Sequence, residues 1–514
     1  MNGAQSLIRA LTDAGIDVCF ANPGTSEMHF VSALDDVPGM RGILGLFEGV
    51  VTGAADGYAR MAGRPGATLL HLGPGLANGL ANLHNARRAR SPVVNVVGDH
   101  ALYHKRLDAP LESDIDALAG AVSGWVRRCY RCADVSADAA EAAAAAQGPP
   151  GQVATLILPA NVSWEDGGTA AQPRPRPPAA AVPDDLVAAA ASALTGAEPA
   201  VILLGGDAQR EPGLRAASRV AAAAGARVLT ETFPARQQRG AGLPAFDRLA
   251  YLPEQAAAQL SGTRHLVLAG AREPVAFFAY PGQPGSLVPD GCAVHSLGEP
   301  GQDVAGALEH LADRIAPGTA PVLQQPARFR PGTGVLTADA VAGLVAAALP
   351  EGAIVAEEAV TASAACVRAT TGSNRHDWLS ITGGAIGQGL PTALGAAVAC
   401  PDRKVISLEA DGSAMYTVQA LWTQAREDLD VTTVIFSNRS YAILNFEMNR
   451  VQARPPGDRA AALLDLSGPG IDFVQLARGL GVEAVRASSG EELAAALSRA
   501  MARRGPFLID AVCK

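Results

Sequence analysis

Alternating short apolar runs and alanine-rich segments are the feature of this sequence that most restricts its fold. The apolar runs have the length and composition of buried strands, and the clearest are residues 93–97, 200–204, 265–268, 404–408 and 432–436. The segments between them are rich in alanine and have the spacing of packed helices. Strands that alternate with helices form parallel sheets covered by helices on both faces, so the sequence predicts an α/β fold.

Two proline-rich stretches divide the chain. Residues 166–184 and 315–337 have the composition of linkers between domains. A chain of 514 residues is too long for one compact core and corresponds to roughly three domains of about 150 residues. We therefore predict three doubly wound parallel-sheet domains, which comprise residues 1–168, 184–315 and 335–514.

The charge and hydropathy of the chain argue against several classes of partner. The formal net charge of -9 provides no basic surface for a phosphate backbone, so nucleic acid is not an expected partner. The sequence shows no secretion signal and no run of about 18 uninterrupted apolar residues, which a membrane-spanning helix requires. We expect no membrane association and a cytoplasmic enzyme that acts on a small molecule.

Two strand ends in the last third of the chain carry polar side chains. The apolar run at 404–408 leads into Asp411, Gly412 and Ser413, and a helix is predicted from Ser413 through Ala425. The next apolar run ends at Asn438. Because both strands of a right-handed β-α-β unit run parallel, Asp411 and Asn438 are predicted to emerge at the same carboxyl edge of the sheet, where ligands bind.

The residue types at this edge are those that hold a metal-bound diphosphate. The Asp411 carboxylate, the Asn438 amide oxygen and the Ser440 carbonyl oxygen are hard ligands that leave Mg²⁺ positions free for phosphate oxygens and water. The backbone amides of Gly412 and Ser413 can bind the same phosphates at the start of the helix. Each motif alone is also typical of a structural turn, and that alternative remains open.

The run Asp411-Gly412-Ser413, followed by Asn438 at the end of the next strand, resembles the cofactor motif of the thiamine-diphosphate-dependent enzymes. Ala410 stands where that family usually has glycine. The upstream segment 382–391, TGGAIGQGLP, is similar to the family's loop over the aminopyrimidine ring of the cofactor. The resemblance implies that the Gly384 carbonyl binds the exocyclic amine and that Ile386 supports the bent cofactor. It also implies that residues 1–168 bind the aminopyrimidine and residues 335–514 bind diphosphate and Mg²⁺.

Glu48 follows the apolar segment GILGLF and precedes a predicted helix of small residues. Taken alone, an acid in this position is typical of a surface residue or of a charge at a helix N-terminus. In the thiamine-diphosphate family a glutamate at this place binds the ring nitrogen of the aminopyrimidine, so the resemblance implies that Glu48 activates the cofactor. That cofactor is held by the other subunit, which implies a homodimer at minimum and, further, a homotetramer built as a dimer of dimers.

Three segments of the first third resemble the benzoylformate decarboxylases, namely 22–27, 70–78 and 108–116. The acetolactate synthases are a more distant match. The resemblance places His71 near the reacting carbon, where it can carry protons, and places Thr25 at the substrate carboxylate. A lone histidine at a strand end is also often a buried structural residue, and this interpretation remains open.

The predicted substrate pocket contains Ser26, Leu111, Phe277 and Phe278. One of the two phenylalanines stands where the benzoylformate decarboxylases have a second histidine, and a phenyl ring cannot carry protons. An apolar pocket for an aromatic or branched 2-oxo acid is compatible with these residues.

The reaction implied is decarboxylation of a 2-oxo acid, with carboligation as a further activity. The alternative is an acetolactate synthase-type carboligase that joins two 2-oxo acids. Leu111 favours the decarboxylase, because the synthases typically have glutamine there. A flavin-dependent oxidase and a catalytically silent homologue are weaker alternatives.

Overall fold

The computed structural model describes residues 1–329, 332–451 and 457–513. Three sheets, each flanked by helices, follow one another along the chain. The α/β fold with three parallel sheets is therefore confirmed, apart from one antiparallel strand described below. No helix in these residues is long and apolar enough to cross a membrane.

The first sheet is six-stranded and parallel throughout. Its strands are β1 (Val18–Asn22), β2 (Arg41–Leu44), β3 (Gly66–Leu70), β4 (Val93–Asp99), β5 (Trp125–Arg128) and β6 (Val153–Pro159), in the spatial order β2-β1-β3-β4-β6-β5. The helices are α1 (Gly3–Asp13), α2 (Met28–Asp36), α3 (Glu48–Ala62), α4 (Leu72–Ala89), α5 (Ile115–Gly120), α6 (Val135–Gln147) and α7 (Ala160–Trp164).

The middle segment has four helices and contributes strands to two sheets. Its helices are α8 (Asp184–Thr195), α9 (Glu211–Ala224), α10 (Pro253–Leu260) and α11 (Val304–Ile315). Its strands are β7 (Ala200–Leu204), β8 (Arg227–Thr230), β9 (Gln237–Arg239), β10 (Asp247–Arg248), β11 (His265–Ala269) and β12 (Ala293–Ser296). All except β9 form the five-stranded parallel sheet with the order β10-β8-β7-β11-β12.

The last sheet is seven-stranded, with the order β17-β18-β16-β15-β13-β14-β9. Its own strands are β13 (Ala353–Glu358), β14 (His376–Ser380), β15 (Val405–Ala410), β16 (Val431–Ser437), β17 (Glu483–Ala487) and β18 (Phe507–Val512). The helices are α12 (Ala338–Ala348), α13 (Ser363–Ala369), α14 (Gly389–Ala399), α15 (Asp411–Ala414), α16 (Ala420–Arg426), α17 (Ala442–Val451), α18 (Asp458–Ala461), α19 (Phe473–Gly479) and α20 (Gly490–Met501).

Strand β9 of the middle segment pairs antiparallel with β14 at the edge of this last sheet. This pairing is an exception to the predicted parallel arrangement of the sheets. The Arg239 guanidinium of β9 lies 5.3 Å from the ring centroid of Trp378 in β14, and the indole is fully buried. The middle segment is thus joined to the last third of the chain by backbone hydrogen bonds as well as by side chains.

Helices α3 and α14 pack closely against each other and join the first and last sheets in one hydrophobic core. Small residues permit this approach, since a methyl group added at Gly395 would lie only 1.8 Å from the Ala54 carbonyl oxygen. Glu48 is the first residue of α3, and α14 begins at Gly389, within the segment similar to the aminopyrimidine loop. The packing of α3 on α14 therefore fixes the position of Glu48 relative to this segment within one chain.

The helix predicted from Ser413 through Ala425 is interrupted, which corrects the sequence analysis. Helix α15 ends at Ala414 and α16 begins at Ala420. The segment between them packs on the loop before α14, where the Thr417 hydroxyl donates to the Gly387 carbonyl at 3.0 Å. The β-branched pair Thr417 and Val418 also lowers the helix propensity of this segment.

Candidate active site

Glu48 lies in a buried position between two helix starts. Its strand, β2, ends at Leu44, and Glu48 itself begins α3 with only 7% of its surface exposed. The Asn78 amide of α4 donates to its Oε2 atom at 3.0 Å. A methyl group at Gly75 would lie 3.2 Å from its Oε1 atom, so α4 approaches closely here because residue 75 is glycine. The surface-residue alternative for Glu48 is therefore wrong.

His71 directly follows β3 and precedes the first turn of α4. Its Nδ1 atom lies 2.7 Å from Oε2 of Glu27, a side chain that is 2% exposed. Because a carboxylate only accepts, the hydrogen is on Nδ1 and the Nε2 atom remains available to a ligand. Gly75 also approaches the His71 side chain, and a methyl group there would lie 3.3 Å from its Cβ atom. His71 and Glu48 thus flank the same glycine.

Glu27 is a site residue that the sequence analysis did not identify. Its carboxylate also accepts from the Gly24 amide and from the Ser26 hydroxyl, each at 2.8 Å. A methyl group at Gly98 would lie 1.7 Å from its Oε1 atom, so the end of β4 closes over it. The sequence signal for Glu27 was an acid at the end of the 22–27 turn. In the structure β1 and β3 are neighbours in the sheet, so the turns that follow them meet.

Of the three predicted substrate residues Thr25, Ser26 and Leu111, Ser26 contacts both members of this pair. Thr25 is exposed on the short 3₁₀ turn Thr25–Glu27, and the Ser26 hydroxyl lies 3.4 Å from Nδ1 of His71. Leu111 is 38% exposed on the loop before α5. That loop packs on the first turn of α4, because a methyl group at Gly73 would lie 1.8 Å from the Ser113 hydroxyl oxygen. The substrate roles of Thr25, Ser26 and Leu111 stay predictions.

The loop between β14 and α14, residues 381–388, carries Gly384 and Ile386. Gly384 has φ +75°, in the region that favours glycine. A methyl group at Gly384 would lie 2.6 Å from the Cζ atom of Phe277, so that ring rests directly on the loop. The loop ends on the fully buried Glu358, whose carboxylate accepts from the Gly387 amide at 2.6 Å and the Gly389 amide at 2.5 Å. Burial raises the pKa of Glu358.

Phe277 belongs to an aromatic group beside Gly384. Its ring centroid lies 5.8 Å from that of Phe233, 5.3 Å from that of Tyr251 and 4.9 Å from that of Phe278. Phe277 is 42% exposed and Phe278 is 54% exposed, so both present apolar surface outside the core. The structure thus brings Phe277 to the loop predicted to bind the cofactor, and Phe278 packs against Phe277.

Asp411 and Asn438 follow β15 and β16, which are parallel neighbours in the last sheet. Asp411 is 2% exposed, and its carboxylate accepts from the Gly412 amide at 2.8 Å and from the Arg439 amide at 2.5 Å. Asn438 is exposed, and its Oδ1 atom accepts from the Ser440 amide at 3.0 Å. Both strand ends therefore meet at one edge of the sheet, in the arrangement that the sequence predicted.

Comparison with known proteins identifies the family. Residues 1–119 match the N-terminal TPP binding domain of the thiamine pyrophosphate enzymes, and residues 360–511 match the C-terminal TPP binding domain. A Mycobacterium tuberculosis protein, provisionally named an acetolactate synthase large subunit, is 62% identical over 100% of this chain and 99% of its own length. The chain belongs to the thiamine pyrophosphate enzymes.

Thiamine pyrophosphate is another name for thiamine diphosphate, so the family resemblance found in the sequence is confirmed. The Pseudomonas aeruginosa benzoylformate decarboxylase is 30% identical over 96% of both chains. Among solved structures, a thiamine diphosphate-dependent 4-hydroxybenzoylformate decarboxylase from Rhodococcus jostii superposes with a TM-score of 0.85. It is 26% identical and the match covers 100% of this chain and 99% of that one.

The chemistry at Asp411 fits the cofactor of this thiamine pyrophosphate enzyme. Burial raises the pKa of Asp411, and backbone N–H groups oppose that effect. No group of three or more histidine, cysteine or acidic side chains in the described residues could hold a metal ion by itself. A cation here would therefore need amide, backbone and phosphate oxygens beside this one carboxylate, which is a donor set that suits Mg²⁺.

The residues around Asp411 also permit the turn at 410–413 that is predicted to bind the diphosphate. Ala410, in place of the family's glycine, has φ -77° and ψ 148°, an ordinary extended conformation that costs alanine no strain. A methyl group at Gly412 would lie 2.4 Å from the Cε1 atom of Tyr441, so glycine is needed there. The Ser413 hydroxyl donates back to the Ala410 carbonyl at 3.1 Å and closes the turn.

Proposed function

We propose that this thiamine pyrophosphate enzyme decarboxylates a 2-oxo acid with an aromatic or branched side chain, as the benzoylformate decarboxylases do, and that it also catalyses carboligation. The observation that carries the proposal is the His71 and Glu27 pair beside Glu48. It provides a proton carrier with a fixed orientation next to the acid that would activate the cofactor.

The cofactor contacts follow from the same residues. Asp411, Asn438 and the Ser440 carbonyl would hold Mg²⁺, and the Gly412 and Ser413 amides would bind the diphosphate. Gly384 and Ile386 would contact the aminopyrimidine ring, and Glu48 would hold a proton at its ring nitrogen. When bound, thiamine diphosphate supplies the nucleophilic carbon and the electron sink that loss of carbon dioxide from a 2-oxo acid requires.

The remaining residues would act on the substrate. Thr25 and Ser26 would bind its carboxylate, and His71 would deliver through Nε2 the proton that completes an aldehyde product. Leu111, Phe277 and Phe278 would enclose the side chain and exclude water from the reacting carbon. Since the phenylalanines carry no protons, His71 is the residue of this pocket to which the proposal assigns proton transfer.

A homodimer would complete the site, with Glu48 of one protomer reaching the cofactor held by its partner. Exposed large apolar side chains near Glu48 and near Asp411 in the sequence support this arrangement. Leu46 is 45% exposed, Met415 is 38% exposed and Tyr416 is 53% exposed. Burial of such surface favours association, and two dimers would then form the homotetramer.

An acetolactate synthase-type carboligase is the second candidate, because the relative at 62% identity carries that provisional name. Product analysis distinguishes the two reactions. The protein, loaded with thiamine diphosphate and Mg²⁺, is incubated with pyruvate, 2-oxobutanoate, a branched 2-oxo acid and benzoylformate, singly and in pairs.

We expect carbon dioxide and an aldehyde from the aromatic or branched acid, and much less aldehyde from a His71→Leu variant. Acetolactate from pyruvate without aldehyde from any of the acids would establish the second candidate instead. No product in any mixture would contradict both.

A further inference from the structure

The middle of the loop that carries Gly384 and Ile386 rests on a buried side chain of α4, Asn85. The Asn85 Oδ1 atom accepts from the Ala385 amide at 3.2 Å, and its Nδ2 atom donates to the Ala385 carbonyl at 2.8 Å. Asn85 is fully buried. A methyl group at Gly383 would lie 2.4 Å from its Oδ1 atom, so the loop sits directly on this amide.

These two hydrogen bonds fix the direction of the neighbouring backbone groups. The Ala385 amide and the Gly384 carbonyl belong to one trans peptide plane and point in opposite directions. Because the Ala385 amide points at α4, the Gly384 carbonyl points away from it. The same argument applies to the next peptide, where the Ala385 carbonyl points at Asn85 and the Ile386 amide points away. One acceptor and one donor are therefore presented together on the far side of the loop.

We propose that Asn85 is the positioning residue that directs the Gly384 carbonyl and the Ile386 amide at the aminopyrimidine ring. An aminopyrimidine has an exocyclic amine that donates next to a ring nitrogen that accepts, and this edge complements the acceptor and donor of the loop. The inference deepens the proposed function and rests on it. Asn85 itself does not touch the cofactor in this arrangement.

The surroundings of Asn85 keep its amide in this orientation. Its Nδ2 atom also donates to Oδ1 of Asn82 at 3.0 Å, and the Thr382 hydroxyl donates to its backbone carbonyl at 2.7 Å. A reversed Asn85 amide would place two donors face to face at the Ala385 amide and two acceptors at the Ala385 carbonyl. The neighbouring Asn82 amide donates to the Gly49 carbonyl at 2.8 Å and to the Gly387 carbonyl at 3.1 Å. The asparagines thus tie the loop to the residue after Glu48.

The test compares two ligands that share a diphosphate but differ in the ring. Isothermal titration measures the binding of thiamine diphosphate and of inorganic diphosphate, each with Mg²⁺, to the full-length protein. Asn85→Leu removes both hydrogen bonds at similar volume, and Asn85→Asp keeps the acceptor but removes the donor. Asn95→Leu is the matched control, because Asn95 is equally buried in β4 but bonds only Thr68 and Thr155 within the first sheet.

We expect Asn85→Leu to weaken thiamine diphosphate binding by about 10- to 100-fold, since two ring contacts lose their alignment. Inorganic diphosphate should bind as in the wild type, and Asn95→Leu should leave both affinities unchanged. A thiamine diphosphate analogue without the exocyclic amine should show a smaller penalty for Asn85→Leu, because it cannot donate to the Gly384 carbonyl.

Unchanged thiamine diphosphate affinity in the Asn85 variants would overturn the inference, and so would an equal loss for both ligands. If Asn85→Leu does not fold, Asn85→Asp decides by the same criteria. A wild-type protein that does not bind thiamine diphosphate would instead refute the proposed function.

Discussion

Replacement of Glu27 by glutamine tests the arrangement around His71 most directly. The buried Glu27 carboxylate accepts from His71, Ser26 and Gly24 at 2.7 to 2.8 Å. Glutamine has nearly the same shape, and its single oxygen can still accept from His71 and Gly24 at the Oε2 position. The Ser26 hydroxyl can turn to accept from the new amide. The substitution therefore removes the negative charge and keeps the geometry.

The expected loss follows from the strength of the His71 contact. A hydrogen bond to a charged partner contributes about 1.5 to 3 kcal/mol and a neutral one about 0.5 to 1.5 kcal/mol. In the Glu27→Gln variant, the hydrogen bond to His71 should therefore be weaker by about 1 to 1.5 kcal/mol when His71 gains or gives up a proton. This difference corresponds to a decrease of roughly tenfold in kcat. Cofactor binding should not change, because Glu27 makes no contact with the loop at Gly384 or with Asp411 in the structure.

The assay follows aldehyde release from the preferred 2-oxo acid, together with titration of thiamine diphosphate. Glu112→Gln is the control, because Glu112 pairs with Lys105 on the neighbouring loop and does not contact His71. Wild-type kcat in the Glu27→Gln variant would refute the orienting role. A parallel loss of cofactor affinity would show that Glu27 maintains the local fold rather than the proton carrier.

Four further outcomes follow from the structure. Glu48→Gln should bind thiamine diphosphate normally but lose nearly all turnover; normal activity would contradict its role. Gly384→Ala should weaken cofactor binding about tenfold, since the methyl group meets Phe277 at a positive φ, and Phe277→Ala should restore part of the loss. Burial raises the pKa of Asp411, so Mg²⁺-dependent cofactor binding should weaken on acidification before an exposed aspartate would protonate, and a flat profile would contradict this. Burial lowers the pKa of His376 from 6.5 to about 4, so the free energy of unfolding should fall by about 1.4 kcal/mol for each unit by which the pH is lowered between these values. Thermal unfolding should show a smaller dependence on pH in the His376→Phe variant.

The strand ends of the cofactor site were predictable because their signals are local. An apolar run that stops at Asp411, and another that stops at Asn438, suffice to place both residues at one sheet edge, and the structure has them there. Glu48 could be identified only through the family resemblance, since its burial depends on Asn78 and Gly75 of a different helix.

Other features depend on contacts between distant segments, so the local sequence pattern was not enough to establish them. The pairing of Glu27 with His71 requires β1 and β3 to be adjacent, and the sequence does not state the order of strands. The break at Thr417 arises from its contact with Gly387, which overrides the helical pattern around it. Asn85 lies within an ordinary helix, and only the structure shows what its amide binds.

The strand that the middle segment lends to the last sheet has a practical consequence. A fragment that began at residue 335 would lack β9, although it would contain every predicted ligand of Mg²⁺ and diphosphate. Its strand β14 would become an unpaired sheet edge, and the Trp378 indole would lose its contact with Arg239. Unpaired edges of this kind promote aggregation, so the isolated fragment should be poorly soluble. Joining residues 237–239 to the fragment through a linker should restore the paired edge and the solubility.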